Sequence, residues 1–309
     1  MDNVFVVPHK NADTDGVAAA IGYAFFKNKL EKTTKYKAAI PGKLNSETLF
    51  VLDKVKMKAP ETIDNLAGKK VILVDHNEVG QTVDGVEKAE VLEIIDHHKI
   101  GGMQTSSPIM FHAEPLGSTC TIVLDFIEYH KIECPADIAT LLLAGILSDT
   151  VIFKSPTTTE KDKGIASRIA KKLYIDVNAF GMDIKKAKAS IKDLSANKVV
   201  MSDYKEYEKK GIKYGVGQIE VVDYSEAMAR KQELLKELDA VMTAAGQKLG
   251  LLMVTHILEE ATKLFVRGDY GLAKQAFNKE VKDGEIILPK VMSRKKQVVP
   301  LIEAALEKF

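Results

Sequence analysis

Apolar runs, and the polar residues that stop them, divide this chain into alternating short and long segments. Val4 to Val7 is a short apolar run; HKNADTDG follows, then AAAIGYAFFKNKL, whose alanines and apolar spacing predict a helix laid on a sheet. Tyr36 to Ile40 reads as a second strand, Ser46 to Lys56 as a helix capped by Ser46, and Lys70 to Val74 as a third, strongly apolar strand. VLEIIDHHK, Val91 to Lys99, repeats the pattern: its apolar residues stop on Asp96, His97 and His98, as the third strand stops on Asp75 and His76. Strands alternating with helices predict βαβ units and a mostly parallel sheet, whose crossovers bring successive strand carboxyl ends to one edge. Open α/β sheets bind ligands at that edge.

GSTCTIVLDFIEYHK and PADIATLLLAGILSDT predict two further helices, the second apolar nearly all round, therefore central, and ending on Ser148 and Asp149. KSPTTTEKDKGIASRIAKKLYI carries Pro, Thr and Glu start signals for an amphipathic helix, and a further helical stretch runs to Ile191. The lysine-rich KAKASIKDLSANK reads as an exposed connector, which places domains at 1–187 and 196–309 with a linker at 188–195. Beyond it the pattern predicts a hairpin turning at Lys210 and Gly211 and a long charged helix from about Ser225 to Gln247. LGLLMVTHIL and ATKLFVRGD read as strands, and VMSRKKQVVPLIEAALEKF as a short strand, a cationic cluster and a final helix. The fold class is α/β: an N-terminal Rossmann-like, mostly parallel sheet with helices on both faces, and a smaller C-terminal mixed-sheet α/β domain.

At 309 residues the chain has room for two cores. Its 44 Lys and Arg balance 43 Asp and Glu, so a net charge of +1 supplies no field for wrapping nucleic acid or an anionic membrane. Cys120 and Cys134 have neither the number nor the spacing of a disulfide framework or a zinc site, which fits structural thiols in a reducing compartment. The acid at position 2 and the short apolar run after it do not resemble a signal or transit peptide. No stretch approaches the roughly 18 apolar residues of a membrane span. A soluble, cytoplasmic protein is expected.

His9, Asp13 and Asp15 share one loop, where helix capping accounts for one acid but not for all three groups. Asp149 closes a helix whose dipole favours cations at that end, so it needs a cation of its own, either a metal or an ordinary salt-bridge partner. With Asp75 and His97, the strand edge gathers two imidazoles and four carboxylates. That many anions do not stay ionised together without cations, because like charges raise one another's pKa. Two divalent ions bridged by one carboxylate resolve the conflict, and oxygen-rich ligands with one histidine per ion suit Mn²⁺, Mg²⁺ or Co²⁺. Two such ions about 3.5 to 4 Å apart share a water, lower its pKa and clamp a phosphoryl transfer, so hydrolysis is the natural use. Neither a glycine-rich phosphate loop nor a G-x-S-x-G elbow is present. Arg294, Lys295 and Lys296 form a compact cationic cluster, either a phosphate grip or a solvated basic turn.

HKNADTDG, LVDHNE, IIDHHK, GILSDT and SRKKQVVP, in that order across almost the whole chain, resemble the DHH phosphoesterase superfamily. Within it the SRKKQ block is similar to the family II, manganese-dependent inorganic pyrophosphatases and the related exopolyphosphatases, whereas nucleases and oligonucleotide phosphodiesterases carry a glycine-rich GGGH-type block not found here.

The resemblance implies hydrolysis of pyrophosphate to two orthophosphates by a two-metal-activated water, in a cleft between a DHH domain and a DHHA2-type domain. It implies two Mn²⁺ per subunit, with Co²⁺ or Mg²⁺ as substitutes, and a further Mg²⁺ carried by the substrate. Carried over by motif, His9 and Asp13 hold one ion, Asp15, His97 and Asp149 the other, and Asp75 bridges. His98 touches substrate and protonates the leaving phosphate; Lys205, Arg294 and Lys295 bind substrate; His76 and Asp96 orient ligands through hydrogen bonds. A homodimer through the N-terminal domains is implied, with no nucleic-acid or membrane partner. The competing readings are an exopolyphosphatase or short-oligonucleotide phosphodiesterase on the same site, and a non-catalytic metal- or phosphate-binding protein.

Overall fold

Six parallel strands open the chain: Val4–Val7 (β1), Tyr36–Ile40 (β2), Glu61–Thr62 (β3), Lys70–Val74 (β4), Glu90–Asp96 (β5) and Met110–Ala113 (β6). They form one sheet in the order β3-β2-β1-β4-β5-β6. A computed structural model describes residues 3–308, and the chain divides into two units between Lys188 and Ala189. Side chains alternate across a strand, so Val4, Val6, Ile72, Val74 and Ile95 enter one apolar core while Val7, Val71, Leu73 and Ile94 enter another. With both faces covered, the central strands carry unbroken apolar runs, which is why the sequence announces them.

The first core is covered by Thr14–Leu30 (α1), Ser46–Lys54 (α2), Thr119–Tyr129 (α3), Ala136–Asp149 (α4), Glu160–Leu173 (α5) and Val177–Lys188 (α6). Helices lie on both faces but unequally. The second core is closed by Ile63, Leu66, Val83 and Val86, from a segment whose helical content is two 3₁₀ turns, Val79–Gln81 and Val86–Lys88. Helix α4 is central, as its apolar sequence predicts, with Leu141 to Leu147 all buried. It crosses α1 at Gly22, where an added Cβ would sit 2.6 Å from Leu142 Cδ2.

The second unit has a mixed sheet of Lys205–Lys209 (β7), Ile212–Val221 (β8), Leu249–His256 (β9), Ala261–Gly268 (β10) and Glu285–Pro289 (β11), ordered β11-β10-β9-β8-β7. The β8–β9 pair is parallel and the rest antiparallel. The β7–β8 hairpin turns at Lys210 and Gly211, both left-handed as a two-residue hairpin turn requires. Ala196–Met201 (α7), Ser225–Ala229 (α8) and Lys231–Ala244 (α9) supply Val199, Ala227 and Leu235 to the core on one face. Tyr270–Phe277 (α10) and Val299–Leu306 (α11) supply Leu272 and Ile302 to the other.

Several local expectations are corrected. Asn45, not Ser46, caps α2, its side chain accepting from Thr48 N at 2.8 Å. The helix expected to reach Ile191 ends at Lys188, and the connector is exposed at Lys188 and Lys192 to Ser195 as expected, but Ile191 within it is buried and its N–H donates to Glu226. The single helix expected from Ser225 to Gln247 breaks at Arg230 (φ −101°, ψ 8°), whose guanidinium holds Ile191 O and Glu233. The final strand lies earlier than VMS, at β11, and SRKK instead opens a π-helical turn, Arg294–Val298, leading into α11.

Alanine is the better helix former by about 1 kcal/mol, yet Gly22→Ala should destabilise the protein by about 1–3 kcal/mol, because the new methyl overpacks Leu142. The urea midpoint should fall, and the cost should be smaller in a Leu142→Ala background. A midpoint that rises in the Leu142 protein would contradict the close approach.

Candidate metal centre

The strand order reverses between β1 and β4: β2 and β3 lie to one side of β1, while β4, β5 and β6 lie to the other. Such a switch point leaves a crevice beyond the strand carboxyl ends, and His9 follows β1 there while Asp75 follows β4. Asp13 caps α1, accepting from Gly16 N at 3.0 Å, and Asp15 lies in the first turn of that helix. Asp75 has left-handed backbone (φ 63°), a conformation more accessible to Asp than to most residues. Asp96 ends β5 and hands on to His97 and His98, and Asp149 is the last residue of α4.

These elements bring all six acids and imidazoles of the predicted metal set together. His9 Nε2 lies 3.8 Å from Asp13 Oδ1 and 3.6 Å from Asp75 Oδ2. His97 Nε2 lies 3.4 Å from Asp75 Oδ1 and 3.4 Å from Asp149 Oδ2. Three overlapping groups have donor atoms within 4.8 Å of one another: His9, Asp13 and Asp75; Asp15, His97 and Asp149; and Asp75, His97 and His98. Donors sharing one octahedral or tetrahedral ion about 2.1 Å away sit roughly 3.0 to 3.4 Å apart. The buried His97 Nε2 has no hydrogen-bond partner, although a buried polar nitrogen ordinarily needs one. A divalent ion fits that orphaned nitrogen and the carboxylates around it.

The imidazoles are aimed from behind. His9 Nδ1 donates to Lys10 O at 2.8 Å and His97 Nδ1 to Leu116 O at 2.9 Å, leaving each Nε2 to face the carboxylates. Asp15 accepts from Ser118 Oγ, from Thr119 N at 2.7 Å and from Cys120 N at 3.0 Å, so much of its acceptor capacity is already used. Thr119 Oγ1 donates to Asp75 at 2.8 Å. Asp96, fully buried, accepts from His97 N at 2.8 Å, His98 N at 3.1 Å and His98 Nδ1 at 2.9 Å, and Asn77 Nδ2 donates to its other oxygen. His76 differs from expectation: its Nδ1 donates to Val74 O at 2.9 Å, and its buried Nε2 has no partner, so it orients no ligand by hydrogen bonding.

Protonation records the same crowding. Burial, reinforced by Asp15, pushes Asp75 up to about 7 and Asp149 up to about 8. Burial pulls both imidazoles down, but Asp13 and Asp75 outweigh it and raise His9 to about 9, while Asp75 and Asp15 raise His97 to about 10. Asp96 raises His98 above the ordinary imidazole value. Burial alone dominates at His76, lowering it to about 4.

The predicted substrate residues Lys205, Arg294 and Lys295 belong to the second unit. Lys205 begins β7 and is exposed, as is Lys295. Arg294 is already engaged: it donates to Asp203 O, to Val216 O at 3.3 Å and to Asp203 Oδ1 at 3.1 Å. Gln297 fixes the turn, accepting from Met292 N at 2.9 Å and Ser293 N at 3.0 Å. Sequence reasoning assigned no role to Asp203, Gln297, Asn77, Ser118 and Thr119; the available signals were the position of Asn77 and Gln297 inside the LVDHNE and SRKKQ blocks and the polar GST that leads into α3.

Comparison with known proteins agrees with this architecture. Residues 3–146 match the DHH family N-terminal domain, and residues 182–305 match the DHHA2 domain. A manganese-dependent inorganic pyrophosphatase of Methanothrix thermoacetophila is 44% identical over 99% of both chains, and one of Methanocaldococcus jannaschii is 41% identical over 97% of this chain and 98% of its own. A crystal structure from Methanococcus jannaschii, assigned to the family II inorganic pyrophosphatases, superposes with a TM-score of 0.60 at 39% identity, covering 98% of this chain and 99% of that one. No helix among the described residues is long and apolar enough to cross a membrane.

Asp75, Asp149, His9 and His97 all have raised pKa values, so in metal-free protein each holds a proton that the unfolded chain releases at lower pH. The stability those protons contribute is present at low pH and lost as pH rises through about 7, 8, 9 and 10 in turn. The melting temperature of chelator-treated protein should therefore fall from about pH 4 upward, where unfolded carboxyls release their protons, and fall further above about pH 6.5, where unfolded imidazoles do, and added Mn²⁺ should raise it more at alkaline than at neutral pH. A flat or rising profile without metal would contradict this electrostatic reading.

Proposed function

The chain belongs to the manganese-dependent, family II inorganic pyrophosphatases, and on that premise we propose that it hydrolyses inorganic pyrophosphate to two orthophosphates. The observation that carries this reading is the pair of ligand groups, His9–Asp13–Asp75 and Asp15–His97–Asp149, clustered at one sheet edge. In the proposed assignment His9 and Asp13 would hold one Mn²⁺ and Asp15, His97 and Asp149 a second, with Asp75 available to either. Co²⁺ or Mg²⁺ can substitute, and a further Mg²⁺ accompanies the substrate. When bound, two such ions supply Lewis-acid charge that lowers the pKa of a water and neutralises phosphate oxygens.

The chain's own groups do the rest. His98 is half exposed and donates through Nδ1 to Asp96, which leaves Nε2 free to face substrate. The hydrogen bond to Asp96 raises the His98 pKa and so favours its imidazolium form, whose Nε2 proton passes to the bridging oxygen as the phosphoanhydride bond breaks. Water adds to one phosphorus, the other phosphate leaves protonated, and two orthophosphates result. Lys205, Arg294 and Lys295 bind the remaining phosphate charge, with Asp203 and Gln297 holding Arg294 and its turn. A cytoplasmic homodimer associated through the first unit completes the proposal.

Metal-stripped protein resupplied with Mn²⁺, Co²⁺, Mg²⁺ or Zn²⁺ should release phosphate from pyrophosphate fastest with Mn²⁺, and more slowly from triphosphate or a dinucleotide. Faster turnover of polyphosphate or a dinucleotide would replace this substrate with a rival one, and no turnover would leave a binding protein. His98→Gln should lower kcat by about 10² to 10⁴ while Mn²⁺ affinity stays unchanged. Parallel loss of Mn²⁺ and activity would reassign His98 to the metals.

A further inference from the structure

Leu116, Ser118 and Thr119 serve three of the proposed metal ligands at once. Leu116 O receives His97 Nδ1, Ser118 Oγ and Thr119 N bind Asp15, and Thr119 Oγ1 binds Asp75. Only Thr119 of these lies within a helix, at the start of α3. A segment with that duty needs a fixed point, because the direction of each ligand follows from where its backbone sits.

We propose that Asp162, in the first turn of α5, is that fixed point and acts as a positioning residue for the metal centre; the inference rests on reading that centre as a metal site. Asp162 is fully buried, and none of its four donors is a cation. Two bonds belong to the helix cap: Thr159 N and Thr159 Oγ1 each donate to Oδ2 at 2.7 Å. A cap needs nothing more. The other two reach across 45 and 41 positions of sequence, Gly117 N donating to Oδ2 at 2.9 Å and Thr121 Oγ1 to Oδ1 at 2.6 Å. They grip the segment on both sides of Ser118 and Thr119.

Gly117 shows how closely the two parts meet. A Cβ there would lie 2.7 Å from Thr150 Cγ2 and 2.9 Å from Asp162 Oδ2, so the backbone rests on the carboxylate with no room for a side chain. Thr150 follows the ligand Asp149, and Thr158 Oγ1 donates to Thr150 O at 3.5 Å. The start of α5 thus meets both the segment that aims Asp15, Asp75 and His97 and the end of the helix that carries Asp149. Asp162 touches neither substrate nor metal, and its effect is transmitted through Gly117 and Thr121.

Three substitutions separate this role from helix capping. Asp162→Asn leaves one acceptor oxygen and sets an amide donor against donors. Gly117→Ala forces the same joint apart from the segment side and keeps the cap of α5. Thr159→Ala removes the cap hydroxyl and keeps the bonds from Gly117 and Thr121. Calorimetric Mn²⁺ titration of metal-stripped protein should show at least about tenfold weaker binding in Asp162→Asn and Gly117→Ala. Thr159→Ala should melt at a lower temperature yet bind Mn²⁺ within about twofold of the unsubstituted protein, as loss of a helix cap alone predicts.

Amide exchange at Gly117 and Thr119, measured without metal, should accelerate in the first two variants alone. Wild-type Mn²⁺ affinity in Asp162→Asn, or equal weakening in Thr159→Ala, would overturn the proposal, and Gly117→Ala carries the test should Asp162→Asn fail to fold. If the unsubstituted protein bound no Mn²⁺, the metal reading would fall. The exchange result would then decide on Asp162 separately, unchanged exchange overturning its hold and accelerated exchange supporting it.

Discussion

Asp75 is 2% exposed and has Asp13, Asp15 and Asp149 for neighbours. In a medium less polar than water, carboxylates this close repel strongly, and each raises the pKa of the next. Without metal the conflict is relieved by protons on the histidines and on part of the acids. Divalent cations at the same place would relieve it too, and much of the first unit serves to hold these mutually repelling groups close together. The stability of the fold and its chemistry are therefore set by the same charges.

Holding them requires rigid supports with different origins. The strand order supplies the crevice, since reversal between β1 and β4 leaves their carboxyl ends open to a ligand. Helix ends supply orientation: Asp13 is the cap of α1, Asp15 receives the first N–H groups of α3, and Asp149 closes α4. Close approach supplies the last few ångströms. At Gly16 a Cβ would lie 3.1 Å from Asp75 Oδ2, and at Gly145 one would lie 3.0 Å from Asp15 Oδ1, so small residues stand where helices must reach the carboxylates. The second unit applies the same logic to cations, with Asp203 and Gln297 fixing Arg294 and its turn.

Much of this was legible in the sequence because local rules govern it. Val4–Val7, Tyr36–Ile40 and Lys70–Val74 are strands at the expected bounds, since burial on both faces leaves unbroken apolar runs. Asp75 and His97 could be placed at one edge because parallel strands put their ends there, while Asp149 stood out as an acid closing a helix whose dipole favours a cation. Other features depend on partners distant in sequence. The grip of Asp162 on Gly117 spans 45 residues, the break at Arg230 depends on Ile191 O, and the cover over Leu73 and Ile94 comes from a segment with little helix. No local pattern carries those. The orphaned Nε2 of His76 was equally hidden, because a histidine beside a metal ligand gives no sign in sequence of what its ring will meet.

Whether Asp75 serves two cations at once is decided by electron paramagnetic resonance of metal-stripped protein titrated with Mn²⁺. A second equivalent should convert the single-ion spectrum into that of a spin-coupled pair, and Asp75→Asn should abolish the coupling. Saturation at one ion per chain, or two ions that remain magnetically independent, would contradict a shared Asp75.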